Sequence, residues 1–360
     1  MMFRTLASCS LLIVTVGAQV VPVSGGGAAL QNAILAAPNN AVLVVAPGTY
    51  SSVSAQVAKN VTIVAPQGAV VSGGLVVTFN AMLRLTVVGL TLQASPQNPG
   101  LLATNGHLHA EQCSATGLVV SSAYGVSTVY VRGGTFVGPE VKHVQNAHVV
   151  LLDAAFVEST QFPSSGLAVT GQCSLRAERI SATGASIAPG PSMGGAGLFV
   201  EGDAVLVDSS FTGGFGTYQQ NRAVYCLGQL TLSNCTLSGP VAPTPVLRAV
   251  PSASFVTENW TPGSTSSVRL SEAPNRLVAT VVSTDLVPWV SPNALERLYV
   301  GQTPNWLITS VGVTGAGGDL VVLLTLPNVP WLQYAPVWVT GAFVDPLPLR
   351  TTCPLGGLVR

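Results

Sequence analysis

Acidic and basic side chains recur at fixed positions of a ten-residue pattern that is clearest at residues 230–239 (LTLSNCTLSG). From residue 108 onward, the fourth position of successive copies is occupied by Glu111, Arg132, Asp153, Glu178, Asp208 and Ser233. The second position adds His109, Tyr130 and Arg176. Carboxylates in such a row are the groups that glycosidases use as acid, base and nucleophile. They are also hard oxygen ligands of the kind that bind Ca²⁺.

The pattern returns every 21 to 30 residues from residue 85, which indicates a stacked β-solenoid. Alternate strand residues face opposite sides, so the second and fourth positions would stack outward about 4.8 Å apart per coil. Stacking predicts about 5 Å between Asp153 and Glu178 and about 10 Å between Asp153 and Asp208. These distances bracket the separations between the two catalytic carboxyl groups of retaining and inverting glycosidases. We therefore predict an outward charged stripe with Asp153, Glu178 and Asp208 as catalytic residues. Its predicted substrate-binding residues are His109, Glu111, Tyr130, Arg132 and Arg176.

The register of two coils has an alternative, because Phe156 and Phe211 come one residue earlier than the matching apolar residues elsewhere. A slip of one residue moves every side chain of a strand to its other face. Counting back from the phenylalanines places both aspartates in a turn instead of on the strand. There they would belong to a structural ladder of Asp153, Arg179, Asp208 and Asn234.

The first 18 residues have the features of a signal peptide. Arg4 supplies the positive start, residues 11–16 are apolar, and small residues precede a cleavage site after Ala18. No segment reaches the roughly 20 apolar residues of a membrane-spanning helix. We therefore expect an exported protein, secreted or at the cell surface, without a transmembrane segment. Its five remaining cysteines cannot all pair with one another.

Residues 28–50 combine a helical apolar pattern, an Asn-rich turn and the strand AVLVVAPGTY. With the later coils, this opening resembles the right-handed parallel β-helix family of pectate-lyase-like proteins over residues 27–240. The resemblance implies a helix that caps the first coil, and it implies lyase or glycosidase activity on polysaccharides. The motifs of the family's enzymes are not present: Ala154 and Ser209 stand where pectate lyases have histidine, and no Asp-Asp pair occurs.

The composition of the chain limits the kinds of partner that the protein is expected to bind. Charged residues make up 8% of the chain and the net charge is zero, which argues against binding to nucleic acid or to an anionic membrane surface. Beyond residue 240 the repeat stops, and all five tryptophans lie in this part of the chain. We predict a Pro-rich linker at residues 241–264 and a small β domain at residues 265–360, with the tryptophans in its core or on a sugar-stacking surface.

The sequence thus predicts an all-β protein. A right-handed parallel β-helix with a short N-terminal capping helix would occupy residues 19–240, and a small antiparallel β domain would follow. The predicted function is contact with extracellular polysaccharide along the charged stripe, as a lyase or glycosidase. The alternative is a non-catalytic surface or matrix protein with the β-helix as a rigid spacer. No cofactor or metal site is assigned, and Ca²⁺ is the one ion that the clustered carboxylates suggest.

Overall fold

The computed structural model describes residues 19–95, 98–123, 125–158, 165–185, 195–214, 222–286, 288–289, 298–299, 306–344 and 348–360. The predicted signal peptide, residues 1–18, lies outside this part of the chain. The described residues fall into two compact units, residues 19–249 and residues 250–360. Among them, no helix is long and apolar enough to cross a membrane.

The first unit is a parallel β-solenoid of about 8 turns, and this confirms the predicted right-handed parallel β-helix. One continuous sheet runs through it. Its strands are Val20–Val23, Ala41–Val45, Thr49–Tyr50, Val53–Val57, Val61–Ser72, Leu75–Gln93, Leu101–Ser121, Ser127–Gln145, Ala147–Leu152, Ala155–Glu158, Leu167–Thr170, Ser174–Glu178, Ser181–Thr183, Leu198–Val200, Asp203–Val207, Ser210–Thr212, Val224–Cys226, Leu230–Ser233, Thr236–Ser238, Val241–Ala242 and Val246–Leu247.

Each coil contributes strand segments to three faces, and every pairing between coils is parallel. Face 1 stacks residues 108–111, 129–132, 149–152, 175–178, 204–207 and 230–233. Face 2 stacks residues 113–116, 134–137, 155–157, 181–183, 210–212 and 236–238. Face 3 includes residues 167–170, 198–200 and 224–226.

The interior is filled by the inward residues of the three faces. On face 1, Leu175, Ala177 and Leu206 are at most 2% exposed. On face 2, the rings of Phe136 and Phe156 stack with centroids 5.1 Å apart and planes 11° apart. Burial of a large aliphatic or aromatic side chain contributes about 1.5–3 kcal/mol, so apolar burial repeated coil after coil stabilises the solenoid.

Among the described residues there is one α-helix, Ala29–Ala36, and it covers the first coil. Its buried residues Leu30 and Ile34 are four apart and therefore share one helix face. The helix ends at Ala36, because the next residue, Ala37, has an extended backbone and precedes Pro38. The predicted capping helix is confirmed, and it protects apolar core that a terminal coil would otherwise expose.

The second unit is a small antiparallel β domain, as predicted. One sheet consists of Ser252–Thr257, Thr265–Ser271 and Asp319–Thr325, and another of Trp306–Val313, Leu277–Ser283, Pro336–Phe343, Arg350–Thr351 and Leu355–Leu358. A two-stranded pair, Pro288–Trp289 with Leu298–Tyr299, and the 3₁₀-helix Pro330–Leu332 complete it. Trp260 and Trp338 are 6% and 1% exposed, so these two tryptophans belong to the core of the unit.

The interval predicted as a linker, residues 241–264, contains regular structure. Val241–Ala242 and Val246–Leu247 pair with solenoid strands and extend two faces of the β-helix. Ser252–Thr257 pairs with Thr265–Ser271 in the second unit. Prolines mislead here because an edge or terminal strand does not need every backbone N–H, so such strands tolerate proline.

Candidate functional site

The pairing register places Asp153 and Asp208 in turns. Glu178 pairs with Leu152 on one side and with Val207 on the other. Each aspartate therefore comes directly after the last residue of the face 1 strand in its coil. Both have left-handed backbones, with φ of 53° and 48°. The strand-face alignment of the two aspartates with Glu178 is therefore wrong, and the alternative register, counted back from the phenylalanines, is the one that the structure has.

One left-handed residue makes the turn between face 1 and face 2 in seven consecutive coils, and we call this column the turn ladder. A positive φ costs little for Gly, and among the other residues Asn and Asp tolerate it best. Five of the seven positions hold Gly, Asp or Asn, in keeping with this preference. The turn ladder consists of Gly89, Gln112, Gly133, Asp153, Arg179, Asp208 and Asn234, with φ between 48° and 71°.

Side chains of neighbouring turns bind one another along the ladder. The Arg179 guanidinium donates from Nε to Asp153 Oδ1 at 2.7 Å and from a terminal nitrogen to Asp153 Oδ2 at 3.3 Å. One coil further on, Asn234 Nδ2 donates to Asp208 Oδ1 at 2.7 Å. Asp153, Asp208 and Asn234 are exposed, so the ladder presents carboxylate, guanidinium, carboxylate and carboxamide groups to solvent in that order.

A polar groove with a volume of about 720 Å³ runs beside the ladder over the start of face 2. One wall is formed by the last four ladder residues. The floor is formed by the first outward residues of face 2, which stack from coil to coil and are mostly hydroxyl-bearing: Thr135, Ala155, Ser181, Ser210 and Thr236. We call this feature the ladder groove. Its floor residues repeat at the spacing of the coils, about 4.8 Å.

Glu178 lies away from the ladder groove. It is fully buried on face 1 and is held by Arg176 at 3.0 Å and by Arg179 at 3.4 Å. Arg176 is itself only 2% exposed. Arg179 thus touches both a buried and an exposed carboxylate, but Glu178, Asp153 and Asp208 do not share one solvent-facing surface.

The other predicted substrate-binding residues form a buried cluster on face 1. His109 Nε2 lies 2.7 Å from Glu111 Oε1, and the rings of His109 and Tyr130 meet edge to face with centroids 5.1 Å apart. These three side chains and Arg132 are at most 5% exposed. The expectation of an open, solvent-facing stripe is therefore corrected: the predicted site residues on face 1, from His109 to Glu178, are buried in this structure.

A sequence signal for this burial exists in the coil at residues 149–152. Val149, Val150, Leu151 and Leu152 are all apolar and all at most 1% exposed, although alternate residues face opposite sides. A strand that is apolar on both sides is typical of a sheet covered on both faces. The same run also explains the misplaced register, because it shows no alternation from which the inward positions could be recognised.

The cysteines of the solenoid are thiols. Cys113 and Cys235 follow ladder residues Gln112 and Asn234, and no disulfide joins them. Burial raises the pKa of the Cys113 thiol to about 12 and is also the main cause of a raised Cys235 pKa. Thiols held protonated in this way are poor nucleophiles and poor metal ligands, so we assign them to packing.

No group of three or more His, Cys, Asp or Glu residues among the described positions could hold a metal ion. For Ca²⁺ the ladder is also unfavourable electrostatically. The carboxylates of Asp153 and Asp208 lie two coils apart with the Arg179 turn between them, and a guanidinium in that place repels a second cation.

The architecture defines the class of the protein: the chain is a right-handed parallel β-helix protein. Among solved structures it is similar to the enzymatically active domain of tailspike protein 4 of bacteriophage CBA120, with 11% identity and a TM-score of 0.30. That match covers 88% of this chain and spans 64% of the tailspike chain. No protein-family model matches the sequence, and no curated protein matches it either.

Proposed function

We propose that this protein is exported and binds an extracellular polysaccharide along the ladder groove without cleaving it. The observation that supports the proposal is the groove itself: a floor of small hydroxyl side chains beside a wall of hydrogen-bonding groups, repeated once per coil. The spacing of about 4.8 Å is comparable with the advance per sugar residue of an extended glycan. A chain of sugars could therefore meet similar donors and acceptors at each step.

The charges of the groove favour a neutral glycan. Two of its described lining residues, Asp153 and Asp208, are acids, and one, Arg179, is basic. Arg179 already binds Asp153 and Glu178, so it has little capacity left for a carboxylate of a polyuronate. Negative groups of the ligand would instead face the exposed Asp208 carboxylate, and like charges in proximity repel.

The same contacts argue against hydrolysis. An inverting glycosidase needs one carboxyl group to protonate the leaving oxygen and another to activate water. Asp153 is clamped by a guanidinium through both oxygens, and Asp208 accepts a hydrogen bond from Asn234. The Arg179 turn lies between the two aspartates along the ladder. A binding role therefore fits the site better than acid–base catalysis.

Binding can be tested by affinity electrophoresis and calorimetry against a panel of neutral glycans and polyuronates. Ala155→Trp, which fills the groove floor between Thr135 and Ser181, and the double variant Thr135→Val with Thr236→Val should each weaken binding of a neutral glycan at least about tenfold, the equivalent of about 1.4 kcal/mol. The matched control is Thr183→Val with Thr212→Val. Those threonines lie on the same face in adjacent coils and do not line the groove.

Three results would count against the proposal. The first is folded wild-type protein that binds no glycan of the panel, which would favour the rigid-spacer alternative. The second is a control variant that loses as much affinity as the groove variants. The third is release of reducing ends or unsaturated products that Asp208→Ala abolishes, which would establish an enzyme. Export is tested separately, by N-terminal sequencing of the mature protein, which should begin at Gln19.

A further inference from the structure

The strand Asp319–Thr325 forms one edge of the three-stranded sheet in the second unit. It pairs only with Thr265–Ser271 among the described strands, and all seven residues pair without a bulge. Leu326 N donates to Ser264 O at 2.9 Å, and Glu272 N donates to Gly318 O at 3.0 Å. In an antiparallel ladder, these bonds flank the pairs Thr325–Thr265 and Asp319–Ser271 and identify them as non-hydrogen-bonded pairs.

This register fixes the direction of the remaining backbone groups. Residues 320, 322 and 324 exchange hydrogen bonds with the neighbouring strand, so the N–H and C=O groups of Val321 and Leu323 point toward the open edge. The same two residues carry the most exposed apolar side chains of the strand, at 49% and 71%. Backbone groups that have no strand partner in the described part of the chain thus coincide with exposed apolar side chains.

Charged residues, prolines and bulges are features by which proteins prevent strand addition, and after Asp319 the edge strand has none of them. Residues 320–325 (LVVLLT) contain no charge and no proline. Among the other outer strands of the sheets in the second unit, Ser252–Thr257 has a bulge between Phe255 and Thr257, and the pairing of Trp306–Val313 shifts at Thr280/Val281. Leu355–Leu358 pairs regularly but is buried. Asp319–Thr325, in contrast, is regular, largely apolar and exposed at Val321 and Leu323.

We propose that this edge is a homodimer interface, in which a second copy of the chain adds the same strand in antiparallel orientation about a two-fold axis at Val322. In that arrangement, Val321 faces Leu323 of the second copy, and their N–H and C=O groups complete four hydrogen bonds. Val322 faces its own equivalent, and Asp319 faces Thr325 of the second copy. The strand is therefore self-complementary: apolar side chains meet apolar side chains, and no like charges meet.

The test is the mass of the full-length protein in solution, measured by sedimentation equilibrium over a range of concentrations. The wild type should dimerise. Val321→Lys and Leu323→Glu should each raise the dimer dissociation constant at least about tenfold, because each substitution buries an unpaired charge from both copies in the interface. A 1:1 mixture of the two variants should associate again, since the new ammonium and carboxylate groups face each other only in the proposed register.

Two further variants separate the interface from general surface effects. Leu323→Pro removes an N–H that points to the open edge and is tolerated there, so this variant should be folded by circular dichroism and monomeric. Val311→Lys changes an equally apolar, 63% exposed residue on another strand and should leave the dimer intact. A monomeric wild type, a dimeric Leu323→Pro variant, dissociation by Val311→Lys, or folded variants whose mixture stays monomeric would each overturn the proposal.

Discussion

Arg179 contacts two acids that differ greatly in exposure, and replacing it should reveal which contact matters for stability. Asp153 and Arg179 have side chains 49% and 29% exposed, and exposed ion pairs of this kind contribute about 0–1 kcal/mol. Glu178 is fully buried, and removal of a partner from a buried charge costs up to about 3–5 kcal/mol. Since Glu178 keeps Arg176 at 3.0 Å, we expect Arg179→Ala to lower the free energy of unfolding by about 2 kcal/mol.

Two double-mutant cycles divide this loss between the partners. The cycle of Arg179→Ala with Glu178→Gln should give a coupling energy of about 1.5 kcal/mol, and the cycle with Asp153→Asn should give less than about 0.5 kcal/mol. Backbone strain does not affect either value, because alanine keeps the left-handed φ of 52°. Arg179→Gly relieves that strain and should be more stable than Arg179→Ala by about 1 kcal/mol.

The measurement is urea unfolding followed by far-UV circular dichroism, at low and at high salt. Added salt should reduce the exposed coupling to Asp153 and leave the buried coupling to Glu178 nearly unchanged. The reasoning is refuted if Asp153 couples to Arg179 as strongly as Glu178 does. It is refuted equally by an Arg179→Ala variant that is as stable as the wild type, because Glu178 would then not depend on Arg179.

Three further predictions concern the turn ladder and its surroundings. Gln112→Gly, at a φ of 51°, should raise the urea midpoint by the equivalent of about 0.5–1 kcal/mol, because glycine adopts this backbone without strain. Gly134→Ala should cost more than about 2 kcal/mol, since its Cβ would lie 1.8 Å from Cys113 O, whereas Gly317→Ala, with no atom within 4 Å, should change the midpoint little. Burial raises the pKa of the Cys113 thiol from 9.0 to about 12. The stability that the protonated thiol contributes is therefore complete below about pH 9 and is lost as the pH rises toward about 12. Over that range the free energy of unfolding should fall by up to about 1.4 kcal/mol per pH unit. Unfolding midpoints at about pH 8 and about pH 10 should therefore differ less for Cys113→Ala than for the wild type; equal pH dependence would show that Cys113 does not titrate with unfolding.

The solenoid was predictable from the sequence because its coils repeat both apolar alternation and turn residues. The coil SLRAE at residues 174–178 alternates clearly, and its inward residues Leu175 and Ala177 are the expected ones. The coil at residues 149–152 is apolar throughout, so polarity does not fix its register, and the repeat pattern alone places Asp153 on the strand instead of in the turn. Phe156 indicates the correct register, because the number of residues from the turn to this inward residue of face 2 is fixed.

The burial of Glu111 and Arg176 could not be predicted in the same way. Whether an outward strand residue is solvent-exposed depends on what covers that face of the sheet, and the covering residues need not be close in sequence. The nearest signal is compositional. The outward positions are apolar in one coil, with Val150 and Leu152, and charged in the next, with Arg176 and Glu178. This combination indicates a covered face on which the charges pair with one another, because isolated charges are costly to bury.

The position of the ladder groove follows from the backbone. A left-handed residue at each turn selects glycine, asparagine and aspartate, and in the earlier coils glycines at positions 89 and 133 leave the turn without side chains. From Asp153 onward the turns carry polar side chains, and the groove lies beside those coils. The aspartates are thus explained by turn conformation before any chemistry is invoked. Asp153→Asn and Asp208→Asn should therefore preserve the turns, and the small hydroxyl side chains of the groove floor, which no backbone requirement explains, are the better indicators of ligand binding.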